Sequence, residues 1–340
     1  QGQYQEALDA YHEVLKIDPQ DTKAMFGQGQ AYQQLNNHLM ALQTYERLIK
    51  INPSDAGAWN NKGLILMALE RNQEAVEAFD QAVKIDPGYS SGWCNKAQLQ
   101  FDMQNYEQAM ETYDQAIKLN SGNVAVWAGK GRALVALERY QEALNAFDEA
   151  LTADPTYAAA WSGKGQALAK LERITEALVA LDNVTDFDAH SDALFLKAEL
   201  LKELKRNEEA LAAFEQILNS DPEHAEAWFG KGQILYRLER WSAAQDAFEH
   251  AVKIRSDYYG AWYGIGAVLN NLKRYDTALQ AYDRAIALDS KGADGWYGKG
   301  LTLYNLGRYQ EAREALHKAL AFEHPDAMRM LELIRGQLNR

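Results

Sequence analysis

Apolar and polar residues alternate along the chain with the period of an amphipathic helix. Residues 140 to 150, for example, read Y-Q-E-A-L-N-A-F-D-E-A, with apolar residues three and four positions apart. This spacing places the apolar side chains on one face of a helix and the charged ones on the other. Aspartate-proline steps begin at residues 18, 86, 154 and 221. The residue before a proline is pushed out of helical geometry, so each step predicts the end of a helix.

The helical pattern returns every 34 residues. The first helix of each unit carries W-x-x-K-G-x-x-L, and successive tryptophans stand 34 residues apart from Trp59 to Trp161 and from Trp228 to Trp296. The second helix carries Y-x-E-A-L-x-A-F-D-x-A. Its alanines, each followed four residues later by Tyr, Phe or Leu, are at 7, 41, 75, 109, 143, 177, 210, 244, 278 and 312. A pattern that recurs at a fixed period belongs to the framework of a repeat protein.

These units resemble tetratricopeptide repeats of bacterial and archaeal type, because Trp, Gly, Ala, Phe or Tyr, and Pro follow one another in the order typical of that family. The resemblance covers nearly the whole chain, with about nine and a half repeats. It implies an all-α fold, a right-handed superhelical α-solenoid of stacked helix-turn-helix units. The first helices would line a concave groove, and the second helices would form the convex back.

We expect a single solenoid over residues 1–340. Residues 1–21 would be the second helix of a truncated repeat, residues 22–190 and 191–326 would hold the repeats, and residues 327–340 would form a closing helix. The sixth unit has 33 residues, lacks the proline, and is followed by Leu194 where tryptophan is expected. A missing residue in a connector should alter how the next unit stacks, so residues 185–194 are a candidate bend.

The W-S-G-K-G segment at residues 161–165 looks like part of a phosphate-binding loop. Such a loop would need Ser or Thr after the lysine and a strand before it, and neither is present. The recurrent glycine, Gly165 in this unit, is instead expected where the paired second helix presents its small alanine. Glycine costs about 1 kcal/mol relative to alanine inside a helix, so a close approach must offset that loss. Lys164 is expected to extend its ammonium group to a carboxylate of a second helix.

The recurrent tryptophans are interpreted as core residues rather than ligand anchors. A tryptophan ring buries roughly 150–250 Å² and can hold a repeat unit together. Truncating such a ring should cost about 3–5 kcal/mol.

Composition narrows the classes of function. The formal net charge of −13 argues against a nucleic-acid-binding protein, because such binding depends on many basic residues that neutralise phosphates. The single cysteine, Cys94, is typical of a reducing compartment, and no apolar run is long enough to cross a bilayer. These features favour a cytoplasmic protein without membrane insertion. The seven histidines show no metal-binding spacing, and none is placed to activate Cys94, so we expect no catalytic residues, no metal and no cofactor.

Candidate binding residues are those that the resemblance places in the groove and that differ from repeat to repeat. The fifth position of a unit is the residue directly after the recurrent tryptophan, or after Leu194 where the tryptophan is missing. Aromatic residues accumulate at this position in the later units, with tyrosine, arginine, glutamine and asparagine nearby. The candidate set is Phe195, Phe229, Gln233, Tyr236, Arg237, Tyr263, Asn270, Asn271, Tyr297, Tyr304 and Asn305. Aromatic rings beside polar groups are typical of protein-binding surfaces. The alternative is that these rings only fill the space between neighbouring first helices.

The leading interpretation is a non-catalytic scaffold or sensor that binds a peptide or partner protein in its groove. A second interpretation is a regulatory array of a larger enzyme or nucleotide-driven signalling protein, whose active part precedes Gln1. A third is self-association through the open edge of the N-terminal helix. Lysine at the fifth position and asparagine at the ninth grip the C-terminal carboxylate of chaperones in some relatives. This chain lacks both in register, so that activity is disfavoured.

Overall fold

The computed structural model describes residues 2–184 and 190–338. The described residues form twenty α-helices and no strand, in two compact units. In the first unit the helices are α1 (Gly2–Ile17), α2 (Thr22–Gln34), α3 (His38–Ile51), α4 (Ala56–Ala68), α5 (Asn72–Ile85), α6 (Ser90–Asp102), α7 (Tyr106–Leu119), α8 (Val124–Ala136), α9 (Tyr140–Ala153), α10 (Ala158–Lys170) and α11 (Ile174–Asp182). In the second unit they are α12 (His190–Glu203), α13 (Asn207–Ser220), α14 (Ala225–Arg237), α15 (Trp241–Ile254), α16 (Tyr259–Asn271), α17 (Tyr275–Leu288), α18 (Ala293–Asn305), α19 (Tyr309–Ala321) and α20 (Ala327–Leu338).

Consecutive helices pair as hairpins, and within each unit a hairpin stacks on the next. Helix α1 has the position of a second helix and packs on α2, while α20 has the position of a first helix and packs on α19. Neighbouring first helices also contact one another directly, as α14 does with α12 and α16 in the second unit. Each unit is therefore an α-solenoid of stacked hairpins, which confirms the predicted fold class. The candidate bend falls largely on residues 185–189, outside the described residues, and stays a prediction.

The second helices end where the aspartate-proline steps predict. Asp86, Asp154 and Asp221 cap the carboxyl ends of α5, α9 and α13. Helices α15 and α17 end at the same place in the repeat without a proline. Proline therefore accompanies this helix end but is not needed for it.

The turn between the two helices of a hairpin contains one residue in the left-handed region. Gly307 takes this place in the last hairpin, with φ of 75°. The same place is taken by a non-glycine residue in every other hairpin with a described turn, for example Glu138 at φ 58° and Lys273 at φ 59°. A non-glycine residue in this region carries a steric strain that the packing of the hairpin must offset.

The recurrent glycines make room for a ring of the second helix, not mainly for its alanine. The ring of Phe147 is fully buried between two first helices. A Cβ added at Gly131 would lie 2.5 Å from this ring, and one added at Gly163 in the next repeat would lie 2.3 Å from it. The expectation that the small alanine needs the space is thus corrected. In the sixth unit, the atom nearest to a Cβ at Gly165 is a side-chain carbon of Leu181, at 2.7 Å.

The recurrent tryptophans lie at the edge of the core rather than within it. Trp59 and Trp296 are only partly buried and pack against core clusters. The indole N–H of Trp161 donates to the carbonyl of Pro155 at 2.8 Å, and equivalent bonds recur in the other tryptophan-containing units. The interpretation of these tryptophans as core residues is therefore corrected, because one side of each ring closes the connector before its helix.

Candidate functional site

All eleven candidate binding residues lie on the first helices of the second unit. Phe195 is on α12, and the others are on α14, α16 and α18. Arg237, Asn271 and Asn305 are exposed, and the other eight are partly exposed. Because neighbouring first helices are in contact, these side chains share one continuous surface, here called the first-helix surface.

Three of the four candidate fifth-position rings pack against a ring of their own second helix. Centroid distances are 6.0 Å for Phe195 with Phe214, 5.8 Å for Phe229 with Phe248, and 5.8 Å for Tyr263 with Tyr282. These contacts use one side of each ring for packing within the hairpin. Space filling therefore explains part of the aromatic pattern but leaves the partly exposed side of each ring unexplained.

Residues from the connectors cover a further side of some rings. His224 stacks on Phe195 at a centroid distance of 5.5 Å, and Tyr258 lies 4.8 Å from Phe229. The tightest stack is that of His324 on Tyr297, with centroids 3.9 Å apart and planes 8° from parallel. Tyr297 is thus the fifth-position ring with the closest partner of its own.

A cleft between α14 and α16 brings together five of the candidate residues. Its volume is about 290 Å³, and it is lined by Phe229, Gln233, Tyr236, Arg237, Phe248, Gly260, Tyr263, Gly264 and Ala267. We call it the aromatic cleft. The other six candidates, Phe195, Asn270, Asn271, Tyr297, Tyr304 and Asn305, do not line it.

Four residues of the aromatic cleft were missed by sequence analysis. Phe248 belongs to the second helix, and its pattern position indicates a core residue. Ala267 occupies the same helical position as Gln233 one repeat earlier, so the shorter side chain leaves a gap. Gly260 and Gly264 also line the cleft, and the space beside each of them is occupied by a ring, of Phe229 and of Phe248. A comparison of side-chain size at equivalent positions could have indicated the cleft before the structure was known.

Three polar side chains at the rim already have partners that fix their orientation. Lys202 Nζ donates to Gln233 Oε1 at 3.0 Å. Asn271 Nδ2 donates to the hydroxyl of Tyr236 at 2.8 Å. Arg237 Nη1 donates to the carbonyl of Lys202 at 3.0 Å. The rim is therefore held together by hydrogen bonds between α12, α14 and α16.

The side chain of Tyr263 is largely buried. Burial raises the pKa of Tyr263 to about 12, and the nearby carboxylate of Asp294 acts in the same direction. The hydroxyl is therefore protonated at neutral pH. The ring belongs to the apolar wall of the cleft and carries no charge there.

A second polar group lies beside the cleft, towards α18. Thr302 Oγ1 and Asn305 Nδ2 both approach Asn270 Oδ1 at 3.3 Å. Tyr304 packs on Tyr309 with centroids 5.5 Å apart. These contacts extend the first-helix surface with amide and hydroxyl groups.

The described residues offer no group of three or more His, Cys, Asp or Glu side chains that could bind a metal ion. Burial raises the pKa of the Cys94 thiol. Its Sγ lies 3.8 Å from Asn123 Nδ2 in the first unit. Within the described part of the chain, no helix is both long enough and apolar enough to span a membrane.

Comparison with known proteins identifies the repeat. The sequence signature described as tetratricopeptide repeat matches residues 1–56, 28–90, 94–158, 128–193, 195–259 and 232–293, and a second signature of the same description matches residues 293–324. A search among curated proteins returns no match.

Solved structures with a similar fold include two that cover two thirds of the chain or more. The C-terminal part of a TPR repeat-containing protein from Cytophaga hutchinsonii has a TM-score of 0.55 and 18% identity, covering 67% of this chain and 94% of its own. The APC/C hetero-tetramer Cut9-Hcn1 has a TM-score of 0.50 and 13% identity, with coverage of 98% and 93%.

YrrB, described as a TPR protein with an unusual peptide-binding site, has a TM-score of 0.47 and 28% identity, with coverage of 55% of this chain and 96% of its own. The repeat signatures, which together match nearly all of the sequence, establish that this chain belongs to the tetratricopeptide repeat family.

Proposed function

We propose that this chain is a non-catalytic scaffold that binds an extended segment of a partner protein on the first-helix surface of its second unit. The repeats support a protein-interaction scaffold. The aromatic cleft is the observation that carries the finer proposal. It combines partly exposed rings with polar groups on a surface of adjoining helices.

Physical properties of the cleft favour a protein segment as the ligand. Phe229 and Tyr263 provide apolar contact area and are already held by rings beneath them. Binding to a preformed aromatic surface loses little side-chain entropy, so more of the contact energy remains for affinity. Amide and hydroxyl groups of Asn270 and Asn305 can bond to the backbone of an extended segment that continues along α18.

The composition supports the proposed location and class of ligand. A net charge of −13 favours a protein partner over nucleic acid. The single cysteine, Cys94, favours a reducing compartment, so we place the protein in the cytoplasm.

Photo-cross-linking tests this proposal directly. Benzoylphenylalanine replaces Gln233 on the first-helix surface in one bait and the exposed Glu249 of α15, on a second helix, in another. We expect a partner to cross-link from position 233 and not from position 249. Tandem mass spectrometry of the adduct then identifies the partner segment. Cross-linking from position 249 alone would contradict the proposal.

Substitution of the rings provides the second arm. Phe229→Ala together with Tyr263→Ala should reduce cross-linking from position 233, because both rings line the cleft. Phe26→Ala is the matched control, since Phe26 holds the same fifth position on α2 in the first unit. Thermal unfolding of all variants shows whether a loss of cross-linking comes from a loss of folding.

A further inference from the structure

We infer that the aromatic cleft binds one bulky apolar side chain whose neighbour in the partner segment is an aspartate or glutamate. The inference rests on the proposed function and names the chemistry of its ligand. It follows from the shape of the cleft, the hydrogen-bonding capacity left at its rim and the charge of Arg237.

The interior of the cleft is lined mainly by aromatic rings and by small residues. Gly260 precedes Tyr263 by three positions, and the equivalent residues are Glu226 on α14 and Asp294 on α18. A Cβ at Gly260 would lie 2.9 Å from Cζ of Phe229, so a larger residue would displace the ring. Ala267 contributes only a methyl group to the lining. Such a cleft fits one aromatic or branched aliphatic side chain.

The polar rim has hydrogen-bond donors left over and few acceptors. Lysine can only donate, so its bond with Gln233 engages the amide oxygen and leaves the amide NH₂ free to donate. Asn271 Nδ2 also donates to the carbonyl of Ala267 at 3.0 Å, which fixes its orientation. The Tyr236 oxygen therefore accepts from Asn271 and keeps its own proton for a ligand.

Arg237 supplies the charge. It is exposed, and its partner among the described residues is a carbonyl rather than a carboxylate. Two carboxylates of the neighbouring first helices are already paired, Glu199 with Lys202 and Glu226 with Arg255. A third, Asp294, lies near Tyr263, and its Oδ1 is 3.4 Å from Nε2 of His324. An arginine that retains donors and an unneutralised charge prefers a carboxylate ligand.

The three donors and the apolar interior together specify an apolar-acidic pair. The overall charge of −13 favours basic partners at long range, but that attraction is screened within about 8–10 Å at physiological salt. At hydrogen-bond distance, the donors at the rim determine which residue can follow the bulky apolar side chain of the partner segment. A lysine at that place would bring its positive charge close to that of Arg237. We therefore expect an acidic residue at this point of the partner segment.

Short glycine-serine peptides with blocked ends provide the probes. Their central pair is Leu-Asp, Leu-Asn, Leu-Lys or Ala-Asp, and binding to the full chain is measured by amide NMR titration up to about 1 mM. We expect shifts around the cleft, with Leu-Asp binding about tenfold tighter than each of the other three peptides.

Two variants, with one control, test the apolar and the acidic residue of the peptide separately. Ala267→Leu fills the cleft and should abolish Leu-Asp binding, while Gln166→Leu, at the same helical position on α10, should leave it unchanged. Arg237→Gln should remove the preference for Leu-Asp over Leu-Asn but keep the preference for Leu-Asp over Ala-Asp.

Several results would overturn the inference. One is that binding of the Leu-Asp peptide cannot be detected at about 1 mM. Another is that the Leu-Lys peptide binds as tightly as the Leu-Asp peptide or more tightly. A third is that the Arg237→Gln variant still prefers Leu-Asp to Leu-Asn. If Leu-Lys binds at the cleft and Ala267→Leu abolishes it, the ligand chemistry is wrong while the proposed function stands. If no peptide shifts the cleft and no partner cross-links from position 233, both fail.

Discussion

Lys164 Nζ lies 2.6 Å from Asp148 Oδ1, which joins the first helix of one hairpin to the second helix of the hairpin before it. The same ammonium group lies 5.3 Å from the centre of the Trp161 ring. Equivalent pairs occur at Lys62–Glu46, Lys96–Asp80, Lys130–Asp114, Lys231–Glu215 and Lys299–Asp283. The predicted extension of the lysine to a carboxylate of a second helix is confirmed for these six units. Lys164 is thus engaged within the fold, and the phosphate-loop interpretation has no support.

Replacing this lysine should have a modest effect on stability. Lys164→Met keeps an unbranched stem and removes the ion pair, and Asp148 is more than half exposed. We expect a loss of about 1 kcal/mol or less in the free energy of unfolding, because exposed pairs contribute little. Denaturation in urea, followed by circular dichroism, measures this change. A loss of several kcal/mol would mean that the charge holds adjacent hairpins together.

Adding a methyl group at a glycine that faces a buried ring should destabilise the chain. Gly163→Ala places a Cβ 2.3 Å from Cζ of the fully buried Phe147 ring. Overpacking of this kind costs about 1–3 kcal/mol, and the gain in helix propensity of about 1 kcal/mol offsets only part of it.

Gly336→Ala is the matched control for that substitution. Gly336 lies in α20, and a Cβ there meets no atom within 4 Å. We expect it to be neutral or to stabilise the chain by up to about 1 kcal/mol. If both alanine variants have the same midpoint of thermal unfolding, the aromatic-glycine contact does not limit the packing of these helices.

Removing one indole N–H should show how much its hydrogen bond to the connector contributes to stability. Trp161→Phe keeps an aromatic ring but loses the bond to the Pro155 carbonyl. We expect destabilisation of about 1 kcal/mol, the typical net contribution of one hydrogen bond. Hydrogen exchange at the amide of Tyr157, which bonds to the carbonyl of Asp154 in this connector, should become faster. Unchanged exchange at Tyr157 would show that the indole bond does not order the connector.

Alkaline pH should reduce the stability of the first unit through Tyr113. Burial raises the pKa of Tyr113 to about 12. The unfolded chain releases the same proton near pH 10, so between about pH 10 and 12 the folded state binds more protons than the unfolded state. This contribution is complete below about pH 10 and is lost as the pH rises towards 12.

Tyr113→Phe tests this dependence, since phenylalanine occupies the equivalent place in α9 as Phe147. The variant should lose less stability than the unmodified chain when urea unfolding is compared between about pH 9 and 11.5. Parallel stability curves over that range would show that the Tyr113 hydroxyl does not contribute.

The candidate site was only partly predictable from the sequence. Register within the repeat places Phe229, Gln233, Tyr236, Arg237 and Tyr263 on one surface, and the structure brings these five together in the aromatic cleft. The same rule selects residues that lie outside it, such as Tyr297, which stacks on His324. Periodicity assigns a residue to a face of its helix, but it does not tell whether a connector covers that residue.

The sequence by itself determined the all-α repeat architecture, because each hairpin depends on its own 34 residues and on its nearest neighbours. It also determined the ends of the second helices and the lysine-carboxylate pairs. Tertiary structure decided which side chain occupies the space beside each glycine, how much of each tryptophan stays exposed, and that Glu138 adopts a left-handed conformation. It also decided that Gly260 and Ala267 line a cleft together with the rings of Phe229 and Tyr263. These features depend on distances between side chains of different helices. Packing determines those distances, and a local sequence pattern contains no information about them.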